Sequence, residues 1–191
     1  MLRLSLISSG ITDGMKRGAF PAMDDSVLEP HSIALADALR DKLKVNAKAI
    51  AGMDPRARIT AELLGLSAKA HAGLDDQDFG AWAGKKLTEI SRSKPSAIAA
   101  WITNPDFAPQ DGESLTALAA RTEHFLDEIE KRSGHIIAVT HAGIIRCAVL
   151  HVLGAPLSGF WRLDTSPLTI TDLRHDGKRW ALRAHGAAEL D

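Results

Sequence analysis

The chain opens on an alternation, Leu2-Arg3-Leu4-Ser5-Leu6-Ile7, in which a leucine falls at every second position. A period of two places Leu2, Leu4 and Leu6 on one face of a strand. The residues Ser8-Ser9-Gly10-Ile11-Thr12 then turn the backbone. A similar unit lies far downstream, where Ile136 to Val139 form an apolar run closed by Thr140, and His141-Ala142-Gly143 make a tight turn. The apolar stretch that follows, Ile144 to Leu153, is too long for another strand and predicts a buried helix.

Between these units the period changes. Ile33, Ala36, Leu39 and Leu43 fall at helical spacing within 28–43, and Leu115, Leu118, Ala119, Phe125, Leu126 and Ile129 do so more clearly within 114–132. Ala47 to Ala51 reads as a short strand. Asp54 before Pro55 fits an N-cap and first helical position for a helix from about Arg56 to near Gly65. Residues 13–25 lack periodicity and read as a loop over the two turns, and 68–72 as a further short strand. Residues 74–84 carry Asp75, Asp76 and Asp78 and read as an ordered loop; 87–101 are moderately helical despite Pro95. Residues 160–163, 168–173 and 180–183 predict closing strands, the last two joined as a hairpin through Asp176-Gly177.

Strands alternating with helices predict an α/β fold of three layers, with a mostly parallel central sheet, helices on both faces and a small helical flap inserted at about 85–113. No repeat or linker interrupts the pattern, so one domain is expected over 1–191. The formal net charge of -1 gives no electrostatic footprint for nucleic acid or an anionic membrane surface. No apolar run reaches the length of a membrane span, and the N-terminus lacks the features of a signal peptide, so a cytoplasmic protein is expected. The single Cys147 lies in an apolar helix and reads as a small buried thiol. No pair of histidines has helical metal-ligand spacing and no nucleotide loop is present, so neither metal nor cofactor is expected. The oligomeric state is open.

If the first and second strand-turn units belong to one parallel sheet, Ser9 and His141 share the sheet edge where open α/β sheets bind ligands. An imidazole beside the free N–H groups of a helix start suits an anion, although a lone histidine more often caps a turn or fills a core. Arg56, in the first turn of its helix, opposes the dipole there; it either points at an anion or is tolerated at a small cost. Lys16 and Arg17 either meet a ligand or are solvated.

The order of these pieces resembles the histidine phosphatase superfamily, whose branches include phosphoglycerate mutases and alpha-ribazole phosphatases. The resemblance is carried by Ser8-Ser9-Gly10-Ile11-Thr12 in the place of the family's Arg-His-Gly-x-Thr, by Arg56-Ala57 with Thr60-Ala61, and by Leu74-Asp75-Asp76 leading to Gly80-Ala81-Trp82-Ala83-Gly84. It continues in Gly112-Glu113-Ser114 with Arg121, and in Thr140-His141-Ala142-Gly143 through Arg146. It implies a phosphoglycerate mutase-like fold. It also implies that an imidazole in the place of Ser9 would attack phosphorus, that Arg56 and His141 bind phosphate oxygens, and that Asp76 protonates the leaving oxygen. Ser8 stands in the place of a phosphate arginine, and Gly10 in the phosphate-binding turn.

A serine hydroxyl lacks the basicity of imidazole, so the chain is identified as a degenerate member, a pseudoenzyme in the family's own chemistry. It is expected to bind a small phosphorylated metabolite or inorganic anion but to be impaired in phosphoryl transfer. Two alternatives stand beside this: a non-catalytic scaffold, and a hydrolase of altered chemistry built on Ser9, His141 and Asp76.

Overall fold

The leucine alternation of the N-terminus becomes the middle of the sheet. The computed structural model describes residues 1–22, 24–43 and 46–189. Met23, Lys44, Val45, Leu190 and Asp191 lie outside them, so the loop expected over 13–25 is described except at Met23. The strands are β1 (Leu2–Ser8), β2 (Lys48–Ala51), β3 (Lys69–Ala70), β4 (Gly134–Thr140), β5 (Ile170–His175) and β6 (Trp180–Ala187), arranged β3-β2-β4-β1-β5-β6. The first four in that order run parallel, and β5 and β6 are antiparallel additions on the far side of β1. The register sets Ser8 opposite Thr140. Ser9 and His141 therefore leave neighbouring parallel strands side by side, and the Ser9 N–H donates to the Thr140 carbonyl at 2.7 Å.

The α-helices among the described residues are, in chain order, α1 (Asp13–Lys16), α2 (Pro30–Arg40), α3 (Pro55–Leu63), α4 (Leu87–Ser93), α5 (Pro95–Thr103), α6 (Leu115–Ile129) and α7 (Ala142–Leu153). Side-chain alternation divides the core between the two sheet faces. Leu2, Leu4, Leu6, Ile136 and Ala138 pack against Leu118, Phe125 and Leu126 of α6 and Ile144, Ile145 and Ala148 of α7. On the other face Ile7, Ile137 and Val139 meet Ala36 and Leu39 of α2 and Ala57 and Ala61 of α3. Helix, sheet, helix makes three layers. Cys147 is buried in α7, and burial pushes its thiol up to about 12.

The expected helical run over 87–101 is two helices. Pro95 has no N–H to continue α4 and instead takes the first position of α5. These two helices cover a third cluster, in which Phe20, Trp82 and Ile90 meet Phe79, Trp101 and Phe107. The flap is tied down where two chain segments meet backbone to backbone: the Ala81 N–H donates to the Gln110 carbonyl at 2.9 Å, and the Glu113 N–H to the Asp78 carbonyl at 2.7 Å. Gly80 has φ +48°, and a Cβ there would stand 2.2 Å from the Gln110 oxygen, so only glycine permits the approach.

Two expectations are corrected. The strand expected over 160–163 lies in a 3-10 turn, Leu157–Arg162. A four-residue apolar run carries no period that separates strand from helix, and Phe160 is buried with the α7 side of the core. The loop expected after Thr12 begins with α1, because the Thr12 hydroxyl accepts from the Met15 N–H and caps a helical turn. The hairpin between β5 and β6 is present, with Gly177 at φ +98° in its turn.

Candidate active site

Each side chain of the site hangs from the carboxyl end of a strand or from the segment just beyond it. Ser8 ends β1 and Ser9 follows it; His141 is the N-cap of α7, directly after β4; Asp54 and Arg56 begin α3, after β2. Asp76 lies beyond the 3-10 turn Ala72–Leu74, braced by the Thr140 hydroxyl donating to the Leu74 carbonyl at 2.7 Å. Arg121 of α6 holds the same segment from outside. Its Nη2 donates to the Asp76 carbonyl at 2.9 Å, while its Nε and Nη2 grip Glu113 at 2.8 and 3.0 Å. The Glu113 and Arg121 motif thus positions Asp76 through its backbone.

The expected partners Ser9 and His141 do meet: Ser9 Oγ lies 3.0 Å from His141 Nδ1. The other ring nitrogen, Nε2, lies 2.5 Å from Asp54 Oδ2. Sequence reasoning missed this second contact. The Asp-Pro dipeptide marked Asp54 as a helix cap, and it is one, since its Oδ1 accepts from the N–H groups of Arg56 and Ala57 at 3.1 and 3.3 Å. Its second oxygen is left for His141, across 87 residues of sequence.

Asp76 occupies a different place from the one a Ser9, His141 and Asp76 relay requires. Its Oδ2 is 3.7 Å from Nδ1, the same nitrogen that Ser9 faces, and 2.7 Å from Nη2 of Arg56. It belongs to an ion pair, and the carboxylate behind the imidazole is that of Asp54. Arg56 is buried, with Nε 3.9 Å from Asp54 Oδ1 and Nη1 donating to Met15 Sδ at 3.4 Å. Burial pushes the carboxyls of Asp54 and Asp76 up, but for each the neighbouring His141 and Arg56 more than reverse this, and both sit below the ordinary aspartate value.

The remaining expected residues divide. Ser8 is buried on the wall of the same cavity. Gly10 is turned away from it: its N–H donates to Thr60 Oγ1 at 3.0 Å, and a Cβ there would press on Leu28 and Ser32 of the α2 side. Lys16 pairs with Glu29 at 3.0 Å and Arg17 with Asp13 at 3.9 Å, so both are engaged by neighbouring carboxylates. The three carboxylates of the 74–84 loop part company, Asp75 accepting from the Met53 N–H and Asp78 from the Gly80 N–H.

The cavity above Ser9 and His141 has a volume of about 450 Å³. Its floor is polar, and its walls are Met15, Phe20, Phe79, Trp101, Phe160 and Trp161. Arg146, one turn or so along α7, also reaches it, lying over the Phe160 ring at 5.3 Å. Among the described residues the Arg146 Nε has no hydrogen-bond partner. Among the described residues no group of three or more metal-ligating side chains is assembled, and no helix is long and apolar enough to cross a membrane.

A six-stranded mixed sheet lies between helical layers, with a buried histidine and arginine at its carboxyl edge. The chain belongs to the histidine phosphatase superfamily (branch 1), whose family model matches residues 4–188. It is similar to phosphoserine phosphatase 1 of Hydrogenobacter thermophilus, 32% identical over 87 residues, a stretch covering 44% of this chain and 41% of that protein. Its fold is that of the alpha-ribazole phosphatase of Shigella flexneri, with a TM-score of 0.89 at 21% identity, covering 99% of this chain and 98% of that one. It is also that of a phosphoserine phosphatase from Entamoeba histolytica, solved as a histidine-to-alanine mutant in complex with phosphoserine, with a TM-score of 0.85 at 21% identity and 98% of each chain covered.

Proposed function

We propose that this chain keeps the family's pocket as a site for a phosphate ester or small anion, and that its phosphoryl transfer is impaired because the phosphohistidine route is closed. The observation that carries the reading is Ser9 Oγ lying 3.0 Å from His141 Nδ1, with a hydroxyl in the position from which an imidazole would attack phosphorus. Ser8 beside it supplies no cation, and Arg56, the guanidinium beside His141, is itself engaged by Asp76, so the charge that develops on the transferring group is met less fully. A protein of the same fold holds phosphoserine with one of its histidines replaced by alanine, which supports binding without a full set of imidazoles. The proposed ligand contacts are Arg56, His141 and Ser8, with Asp76 as the group that competes for Arg56.

The test is direct. The parent should turn over a generic aryl phosphate poorly and accumulate no acid-labile phosphohistidine in its first motif. Ser8→Arg with Ser9→His restores both nucleophile and cation, and should exceed Ser9→His alone, since one electrostatic donor is worth about a hundredfold in turnover. Calorimetric titration of the parent with phosphate, and of Arg56→Ala, gives the binding arm. Removing a charge-assisted contact should weaken binding by about tenfold or more. No binding to the parent, or an unchanged Arg56→Ala, favours the scaffold reading.

A further inference from the structure

We propose that Ser9, His141 and Asp54 form a nucleophilic relay, and that the chain hydrolyses uncharged carboxylic esters with an apolar or aromatic acyl group. This goes beyond the anion-binding reading and concerns the same cavity. The geometry is that of nucleophile, base and orienting carboxylate: Ser9 Oγ is 3.0 Å from His141 Nδ1, and His141 Nε2 is 2.5 Å from Asp54 Oδ2. All three residues are buried, and Ser9 and His141 line the cavity. An ionised Asp54 can only accept, so the ring proton sits on Nε2, and Nδ1 offers its lone pair to the Ser9 hydroxyl. That is the tautomer a general base requires.

Charge and surface select the substrate class. At the reacting end Arg56 is engaged by the carboxylates of Asp54 and Asp76, and Arg146 also lines the cavity. A neutral ester leaves those ion pairs undisturbed and adds no charge until its oxyanion forms, at the moment when His141 has become imidazolium. Trp101, Phe160 and Trp161 give the acyl group an apolar seat. Donors for the oxyanion stand in place. The N–H groups of Ala142 and Gly143 are in the first turn of the twelve-residue α7, where no carbonyl of the helix reaches them, and both residues line the cavity.

The reaction balances with water as the co-reactant. Ser9 Oγ bonds to the carbonyl carbon as its proton passes to His141 Nδ1, and the carbonyl oxygen takes the electron pair. The pair returns, the bond from carbon to the leaving oxygen breaks, and that oxygen takes the proton from Nδ1, leaving an acyl-Ser9. Water then repeats the sequence, giving its proton to Nδ1, and the carboxylic acid departs as Ser9 recovers its hydrogen. Asp54 touches no reacting atom; it is a positioning residue.

The experiment uses the full chain, a 4-nitrophenyl ester of a short aromatic acid, and an alkyl fluorophosphonate as covalent probe. The parent should form one adduct, located on Ser9 by peptide mass spectrometry. Ser9→Ala should lose the adduct and the hydrolysis. Asp54→Asn keeps an oxygen for the α3 cap and so should still fold, but it places an amide N–H against Nε2–H or forces the ring to its other tautomer. Labelling should fall by on the order of a thousandfold or more. Asp54→Glu restores a carboxylate and should recover part of the rate. No adduct on Ser9 in the parent, hydrolysis that survives Ser9→Ala, or an Asp54→Asn protein that labels at the parental rate would each overturn the proposal. Inorganic phosphate separates the two readings: labelling that phosphate fails to slow leaves the relay standing and removes the anion site.

Discussion

Neutralising Asp76 should make the pocket a better anion site while making the protein less stable. In the structure Asp76 Oδ2 lies 2.7 Å from Nη2 of Arg56, the position that the proposed anion site assigns to a phosphate oxygen. A carboxylate about 5 Å from a phosphate charge repels it by about 3 kcal/mol at an effective dielectric of about 20. Full relief would tighten binding roughly a hundredfold. An asparagine amide still occupies Arg56 in part, so Asp76→Asn should gain about tenfold to a hundredfold by titration calorimetry with inorganic phosphate at pH 7. The same change strips a buried guanidinium of its closest counter-charge, leaving Asp54 Oδ1 at 3.9 Å and Met15 Sδ at 3.4 Å. Breaking a buried pair from one side costs about 3 kcal/mol or more. Urea unfolding should therefore show a loss of that order without phosphate and a partial recovery with it. An Asp76→Asn protein that binds phosphate no better than the parent would refute the account of Arg56 as an occupied cation.

Acid should act through the same carboxyls. Asp54 and Asp76 have folded values below the ordinary one, so their contribution is present above the unfolded aspartate value of about 3.9 and is lost as pH falls through the folded values. Urea unfolding should show stability falling below about pH 4, and a rise there would contradict the sign. Sulfate should bind more tightly only as pH falls below about 4, toward the lowered folded value of Asp76, where a proton taken up by Asp76 releases Arg56, and Asp76→Asn should flatten that slope. In the flap, Gly80→Ala places a methyl 2.2 Å from the Gln110 oxygen at φ +48°, and should cost about 3 kcal/mol or more in chemical unfolding. Gly18→Ala, at φ +79° with nothing within 4 Å, should cost only about 1 kcal/mol; equal losses would discount the backbone contact.

What the sequence makes legible follows the range of the interaction. The alternation of Leu2, Leu4 and Leu6 and the turn after Thr140 are local patterns, and they lead correctly to adjacent strand ends that carry Ser9 and His141. Arg56 was recognisable as a cation in an unfavourable place, and the structure answers it with Asp76. Asp54 shows only its cap in sequence, because one oxygen meets N–H groups two and three residues on, while the other reaches a histidine with no local relation to it. The aromatic wall is equally hidden. Phe20, Trp101 and Phe160 come from a loop, a flap helix and a 3-10 turn, and nothing in their spacing announces a common surface.

That wall has an optical consequence. The chain contains no tyrosine and four tryptophans. Trp101 lies 4.6 Å from Trp161 and 6.0 Å from Trp82, ring centre to ring centre, whereas Trp180 sits apart on β6 against His175 at 4.9 Å. Three of the four emitters thus exchange excitation within one patch, and two of them, Trp101 and Trp161, face the cavity directly. Native ultraviolet emission from this chain is accordingly weighted toward one location in the molecule, with Trp180 as the separate contributor. A guest that settles against those rings announces itself by quenching or by a change of colour, with no label attached and no phenol background to subtract.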